Sequence, residues 1–170
     1  MGSDSPFEQI RGAALDSIVS GLRATLDVQR CTLRLDVPGD VFPVVHESCV
    51  PPAHSLIGDR RVALPGQPVV EALLGGADQV VQDDARAASN EPAFLRMLAL
   101  YDGMGAQIVT ALRRNGRLLG MVSLHQLGGP RRWSAQETEL ATEAAELIAR
   151  MIDDPPGGEG GAAPAGGGGR

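Results

Sequence analysis

The stretch that decides the fold runs from residue 106 to residue 127 and reads AQIVTALRRNGRLLGMVSLHQL. Its centre is Asn115-Gly116, the dipeptide that best supplies the two positive φ angles of a type I′ turn. Apolar and β-branched residues occupy both sides of that dipeptide. The sequence therefore predicts an antiparallel hairpin with strands at 106–113 and 117–127.

The turn also predicts the register of this hairpin. A plain two-residue loop places Arg114 opposite Arg117 and Ile108 opposite Ser123. One face of the hairpin then carries both apolar and polar side chains, and the other face is more apolar. The mixed face consists of Ile108, Thr110, Leu119, Met121, Ser123 and His125.

Outside the hairpin, two capping boxes mark helices at the two ends of the folded chain. Ser5 and Glu8 begin an amphipathic helix over residues 6–26, and Ser134 and Glu137 begin another that ends near residue 153. Each is followed by apolar residues at three- and four-residue spacing. These helices are long enough to cover one face of a small sheet.

Two more strands follow the first helix. Residues 31–37 alternate strictly between apolar and polar side chains, and residues 41–50 form the returning strand after a Pro-Gly-Asp turn. Residues 51–104 are rich in proline and glycine and contain a short strand and two short helices at most. The predicted class is α+β: the terminal helices cover one face of an antiparallel sheet, and a loop-rich lid covers the other.

Composition limits the possible partners. The chain has 170 residues, a formal net charge of -6, and arginine but no lysine. This charge disfavours nucleic acid and anionic membranes as partners, and no apolar run is long enough to span a bilayer. We expect a cytoplasmic bacterial protein with one sensory domain at 6–153 and a disordered Gly/Ala/Pro tail at 154–170.

The closing part of the sequence resembles a GAF domain. The resemblance rests on Asn115 to Leu124, on Trp133-Ser-Ala-Gln-Glu137, and on the helix over 138–149. A weaker element is Val80 to Ala85, which is similar to the short family strand that ends in Asp-Ala. The resemblance covers roughly residues 6–152.

This resemblance implies a profilin-like or PAS-like fold with a central antiparallel sheet of five or six strands. It also implies packing of the terminal helices on one face and frequent dimerisation through them. GAF domains bind bilins, cyclic nucleotides, haem, amino acids or other small metabolites, and some bind nothing. The usual bilin-attachment, cyclic-nucleotide and sulfoxide-reductase patterns are not expected here, because residues 50–170 contain no cysteine and the chain has no lysine.

A small-molecule pocket is expected between the mixed face of the sheet and the lid. The sequence predicts neither catalytic residues nor a metal site, because no spacing of His, Cys, Asp or Glu matches one. Direct packing of the lid on the sheet, with no pocket, is the alternative. The candidate ligand-binding residues are His54, Met97, Tyr101, Met104, Ile108, Thr110, Met121, Ser123 and His125.

The cysteines and histidines allow two further hypotheses. A plain hairpin at 31–50 places Cys31 opposite Glu47 and diagonal to Cys49, close enough for a disulfide or a thiol redox switch. No cofactor is expected, although His54 or His125 could serve as an axial ligand to haem.

The sequence thus predicts a non-catalytic sensory module that binds an unidentified small molecule. It is expected to form a homodimer through its terminal helices and to act in trans on a signalling partner. Two alternatives stay open: a dimerisation or scaffold domain without ligand, and a thiol redox sensor that uses Cys31 and Cys49.

Overall fold

An antiparallel sheet forms the middle layer of the protein in the computed structural model, which describes residues 4–153. The elements in chain order are α1 (Pro6–Leu26), β1 (Arg30–Leu35), β2 (Val44–Cys49), α2 (Pro68–Leu74), β3 (Gln79–Gln82), α3 (Ala85–Ala88), α4 (Pro92–Leu100), β4 (Met104–Arg114), β5 (Arg117–Leu127) and α5 (Ala135–Asp153). The strand order is β2-β1-β5-β4-β3, and every pairing is antiparallel. The predicted fold class is confirmed, whereas the predicted tail at 154–170 lies outside the described residues.

The terminal helices start as the capping boxes predict. The Glu8 amide donates to Ser5 Oγ at 3.2 Å, and the Ser5 amide donates to a Glu8 carboxylate oxygen at 3.1 Å. Ser134 and Glu137 make the same reciprocal pair at 2.9 and 3.1 Å. These bonds satisfy amides that the first helical turn leaves without an internal partner.

The two faces of the sheet are covered by different parts of the chain. Side chains of α1 and α5, such as Val19 and Ile148, form one buried cluster with the helix-facing residues of β1, β4 and β5. The segment between β2 and β4 forms a second buried cluster on the opposite face, in which Phe94 and Met104 are fully buried. The helix layer and the lid are therefore both present. Of the helices between residues 4 and 153, none has the length and apolar character that crossing a bilayer requires.

The hairpin has the predicted turn but not the predicted register. Asn115 and Gly116 both have positive φ, and Arg114 pairs with Arg117. A bulge at Leu119 then shifts the pairing by one residue, because Leu112 pairs with Gly120 while the next residue of β4 pairs with Leu118. A shift of one residue exchanges the faces of a strand.

This shift corrects the placement of two candidate site residues. Ile108 pairs with Leu124 rather than Ser123 and lies in the buried cluster under the terminal helices. The Thr110 hydroxyl accepts a hydrogen bond from Gln79 Nε2, which also donates to Thr142 of α5. Ile108 and Thr110 therefore face the helices and not the lid, so they do not belong to a pocket under the lid.

The first hairpin also departs from the plain register. Arg30 pairs with Cys49, Cys31 pairs with Ser48, and Thr32 pairs with Glu47. Directly paired residues point to the same face, so the two cysteines point to opposite faces of the sheet. The observed register therefore does not allow the disulfide between Cys31 and Cys49 that the plain register would permit. Burial also raises the pKa of the Cys31 thiol to about 12, which keeps it protonated.

Candidate functional site

A buried polar strip runs along the lid-facing side of β1. Arg30, Thr32 and Arg34 alternate with Cys31 and Leu33, and their side chains are 0%, 0% and 8% exposed. The strand lies between β2 and β5, so both of its edges are paired with other strands of the sheet. Because the lid covers this strip, β1 is buried on both sides, and its polar residues face the interior.

Arg30 is held by a complete set of acceptors. Its Nη2 donates to the His54 carbonyl at 2.8 Å and to the Asp102 carboxylate, and its Nη1 lies 3.4 Å from the Tyr101 carbonyl. The Asp102 carboxylate neutralises the buried guanidinium, which is the condition under which a buried charge is tolerated. Arg30 thus links β1 to two segments of the lid.

Asp102 is the centre of that link. It has a left-handed backbone with φ of 64°, and its carboxylate also accepts from the His54 amide at 2.9 Å and from His54 Nδ1 at 2.7 Å. Partial burial acts to raise the pKa of the Asp102 carboxyl, but the His54 hydrogen bonds and the charge of Arg30 outweigh it. The net pKa lies below the ordinary value, so Asp102 is ionised at neutral pH.

His125 is buried against the same guanidinium. Its Nδ1 lies 3.2 Å from Arg30 Nη1, and its ring stacks on Tyr101 with the ring centroids 6.0 Å apart. Burial, followed by the charges of Arg30 and Arg34, lowers the pKa of His125 well below its ordinary value. The ring is therefore neutral. Because Nδ1 accepts from Arg30 and the ring proton therefore lies on Nε2, neither ring nitrogen has the free lone pair that an axial ligand to haem needs.

Arg34 differs from Arg30 in its partners. Its Nη1 donates to the Phe42 carbonyl at 2.9 Å and its Nη2 to the Tyr101 hydroxyl at 3.1 Å, and both acceptors are neutral. In the described part of the chain, no carboxylate forms a salt bridge with Arg34. Burial lowers the pKa of its guanidinium by more than Tyr101 and the nearby charges of Asp59 and Glu47 raise it. Three of its five N–H donors have no hydrogen bond among these residues.

A cleft of about 370 Å³, lined in part by Arg34, lies between the first hairpin and the lid. Apolar side chains form part of its lining, and the charged residues Arg34, Asp40, Asp59 and Arg60 also line it. Arg60 pairs with Asp40 at 2.6 Å, and Asp59 pairs with Arg61 at 2.5 Å. The apolar wall consists of Val41, Pro43, Val44, Val62, Ala63, Leu64 and Pro65.

The structure separates most of the predicted site residues from this cleft. On the lid side, as predicted, are Met97, Tyr101, Met104, Met121, Ser123 and His125. They pack against each other and are buried, so they fill the space between lid and sheet. His54 lies at the edge of the lid with its side chain 84% exposed, and its Nδ1 is bonded to Asp102. None of the nine predicted residues is among those that line the cleft.

The residues that sequence reasoning missed are Arg30, Arg34 and Asp102. A signal for the arginines was present, since the polar side of an apolar-polar alternation contains both of them. Such a side is normally assigned to solvent. Only the position of β1 in the interior of the sheet shows that this side is covered.

Comparison with solved structures gives the same fold. The crystal structure of the cyanobacteriochrome TePixJ GAF domain matches with a TM-score of 0.72 at 21% identity, covering 89% of this chain and 96% of that chain. The phycocyanobilin-bound GAF domain from a cyanobacterial phytochrome matches with a TM-score of 0.71 at 18% identity, covering 84% of both chains. The far-red absorbing dark state of JSC1_58120g3 with bound biliverdin matches with a TM-score of 0.71 at 17% identity, covering 86% of this chain and 92% of that chain.

These structures correct the prediction of a module without cofactor. Two of the three contain a bilin, so the absence of a cofactor is not the expectation for this fold. Among curated proteins, none gives a significant match. The GAF domain family model matches residues 11–152, nearly the whole of the described chain. The chain therefore belongs to the GAF domain family.

Proposed function

We propose that this GAF domain is a non-catalytic sensory module that binds a small molecule in the cleft that Arg34 lines. The observation that supports it is that Arg34 is buried, lines an open cleft and makes no salt bridge within residues 4–153. An unpaired buried charge lowers the stability of a fold, and function is a common reason for keeping one. A bound ligand would supply the missing partner.

The cleft is connected to the terminal helices through β2. Val44 lines the cleft at the start of this strand. Further along the strand, His46 Nδ1 lies 2.6 Å from Asp16 Oδ1, and Arg23 Nε donates to Ser48 Oγ at 2.9 Å. Asp16 and Arg23 belong to α1, so a shift of β2 on ligand binding acts directly on a terminal helix. The helices would then pass the change in trans to a signalling partner.

A bilin is the ligand class that the similar structures suggest. Residues 50–170 contain no cysteine, Cys31 faces the terminal helices, and Cys49 is not among the residues that line the cleft. The cleft volume is also near the lower limit for small-molecule sites. The site does not fit a bilin that is enclosed and attached through a thioether. Arg34 does fit a carboxylate, a group that bilins share with many smaller metabolites.

A second copy of the chain is the partner that the helix layer favours. A groove of about 300 Å³ between α1 and α5 is lined mainly by small and apolar side chains, including Ile18, Gly21, Leu140 and Leu147. Leu147 is 42% exposed. In a twofold dimer the same groove of each copy would cover the other, which would bury these side chains on both. The alternative of a dimerisation or scaffold domain without ligand requires this groove and does not require the cleft.

The experiment is native mass spectrometry of the freshly purified full chain before and after denaturation. We expect wild type to release a small molecule and Arg34→Gln to carry none, with Arg132→Gln, an exposed arginine, as the matched control. Adding the released molecule back should change the emission of Trp133, the single tryptophan, which lies just before α5. A wild type that releases nothing, and whose melting temperature no compound of a metabolite library raises, favours the scaffold hypothesis.

A further inference from the structure

The chemistry of the cleft limits the ligand further. Arg34, whose guanidinium is a planar set of donors, lines the cleft together with apolar side chains such as Val41 and Val62. A carboxylate is the planar group whose two oxygens match such a set of donors. A ligand that satisfies both parts has a carboxylate at one end and an apolar body at the other.

The two acidic residues that line the cleft do not supply that carboxylate. Asp40 is bonded to Arg60, and Asp59 makes contacts with both Nε and Nη2 of Arg61. Both carboxylates therefore already have a cation of their own. Asp59 lies close enough to Arg34 to raise the pKa of that guanidinium but makes no salt bridge with it in the described structure.

Arg60 provides a second cation in the lining of the cleft. Its side chain is largely exposed, and its only ion pair among the described residues is with Asp40. A ligand carboxylate on Arg34 would lie in the same cleft as Asp40, so the two negative charges would repel each other. Removing the charge of Asp40 should therefore strengthen binding, whereas removing the charge of Arg34 should weaken it.

We propose that the cleft binds a carboxylic acid with an apolar body, whose carboxylate oxygens accept hydrogen bonds from Arg34. This proposal rests on the proposed function and adds the ligand class to it. Free aliphatic or aromatic acids and the propionate groups of a bilin have the same carboxylate chemistry, and the experiment separates these sources.

The experiment measures the melting temperature of the full chain and the dissociation constant of each probe. The probes are hexanoate and benzoate with their uncharged amides, and biliverdin with its dimethyl ester. We expect both acids, but neither amide, to raise the melting temperature of wild type. Arg34→Gln should weaken acid binding by about tenfold or more, the effect of losing a charged hydrogen-bond partner. Asp40→Asn should tighten binding, and Arg132→Gln should leave it unchanged.

Each outcome decides the proposal. The proposal is supported if biliverdin binds, its dimethyl ester does not, and Arg34→Gln loses the binding of biliverdin. That result also identifies a bilin as the source of the carboxylate. Equal binding of acids and amides, or unchanged acid binding in Arg34→Gln, overturns it. If no probe binds, the carboxylate proposal is overturned as well. The proposed function then depends separately on whether mass spectrometry finds a released ligand.

Discussion

Arg30 Nη1 lies 3.2 Å from His125 Nδ1, and this contact determines the state of both side chains. A guanidinium has no acceptor, so Nδ1 of the histidine accepts and its proton resides on Nε2. The contact joins β1 to β5 beneath the lid. The native packing therefore requires His125 to be neutral.

The ion pair between Arg30 and Asp102 should contribute measurably to stability. Asp102→Asn leaves a buried guanidinium without its anion, so we expect a loss of about 2 kcal/mol in the free energy of unfolding, below the range for fully buried pairs because Asp102 is partly exposed. Urea denaturation measures it. Asp78→Asn is the matched control, because Asp78 forms an exposed ion pair with Arg113. Equal effects of the two substitutions would contradict a special role for Asp102.

The stability of the protein should depend on pH through His125. Its pKa is lowered in the native state, so the unfolded chain binds the extra proton as the pH falls through about 6.5, the ordinary value. We therefore expect the free energy of unfolding to decrease from pH 7.5 to pH 5.5 in wild type. His125→Gln keeps an acceptor for Arg30 but does not titrate, so its decrease should be smaller. His46→Gln serves as the control, and a wild-type slope that His125→Gln leaves intact would refute the assignment.

The two thiols should react at different rates. Cys31 is fully buried and its pKa is raised to about 12, whereas Cys49 is only partly buried. A thiol reagent at pH 8 should label Cys49 in the native protein and reach Cys31 only after unfolding. Mild oxidation should produce no internal disulfide, because the side chains point to opposite faces. Equal labelling of both thiols, or an internal disulfide in folded protein, would contradict the observed register.

The helix groove predicts the oligomeric state. We expect wild type to be a dimer at micromolar concentration and Leu147→Glu to be monomeric, because a charge in an apolar interface must be desolvated. Light scattering measures both. Leu74→Glu is the matched control, since Leu74 is also an exposed leucine, on α2, but lies outside the groove. A monomeric wild type, or loss of the dimer in Leu74→Glu alone, would exclude this interface.

Local signals in the sequence predict most of the elements. The type I′ turn at Asn115-Gly116 and the capping boxes at Ser5 and Ser134 appear where the sequence places them, because each depends on interactions within a few residues. The single turn α3 was not predicted. Asp84 caps it, but four residues give too little periodicity to detect.

The register of the long hairpin depends on a contact between distant parts of the chain. A Cβ atom on Gly120 would lie 2.0 Å from the Arg34 carbonyl oxygen, so glycine at this position permits the close approach of β1 at the bulge. The turn sequence contains no information about that neighbour. For this reason the sequence predicts Ile108 and Thr110 on the wrong face.

The most direct measurement is the free energy of unfolding of ligand-free Arg34→Gln compared with that of wild type. If Arg34 is kept for ligand binding, removing its unpaired buried charge should leave the protein at least as stable as wild type, within about 1 kcal/mol. The Arg132→Gln control should match wild type. A loss of about 2 kcal/mol or more in Arg34→Gln would show that Arg34 holds the fold together and would contradict its role as the ligand-binding residue.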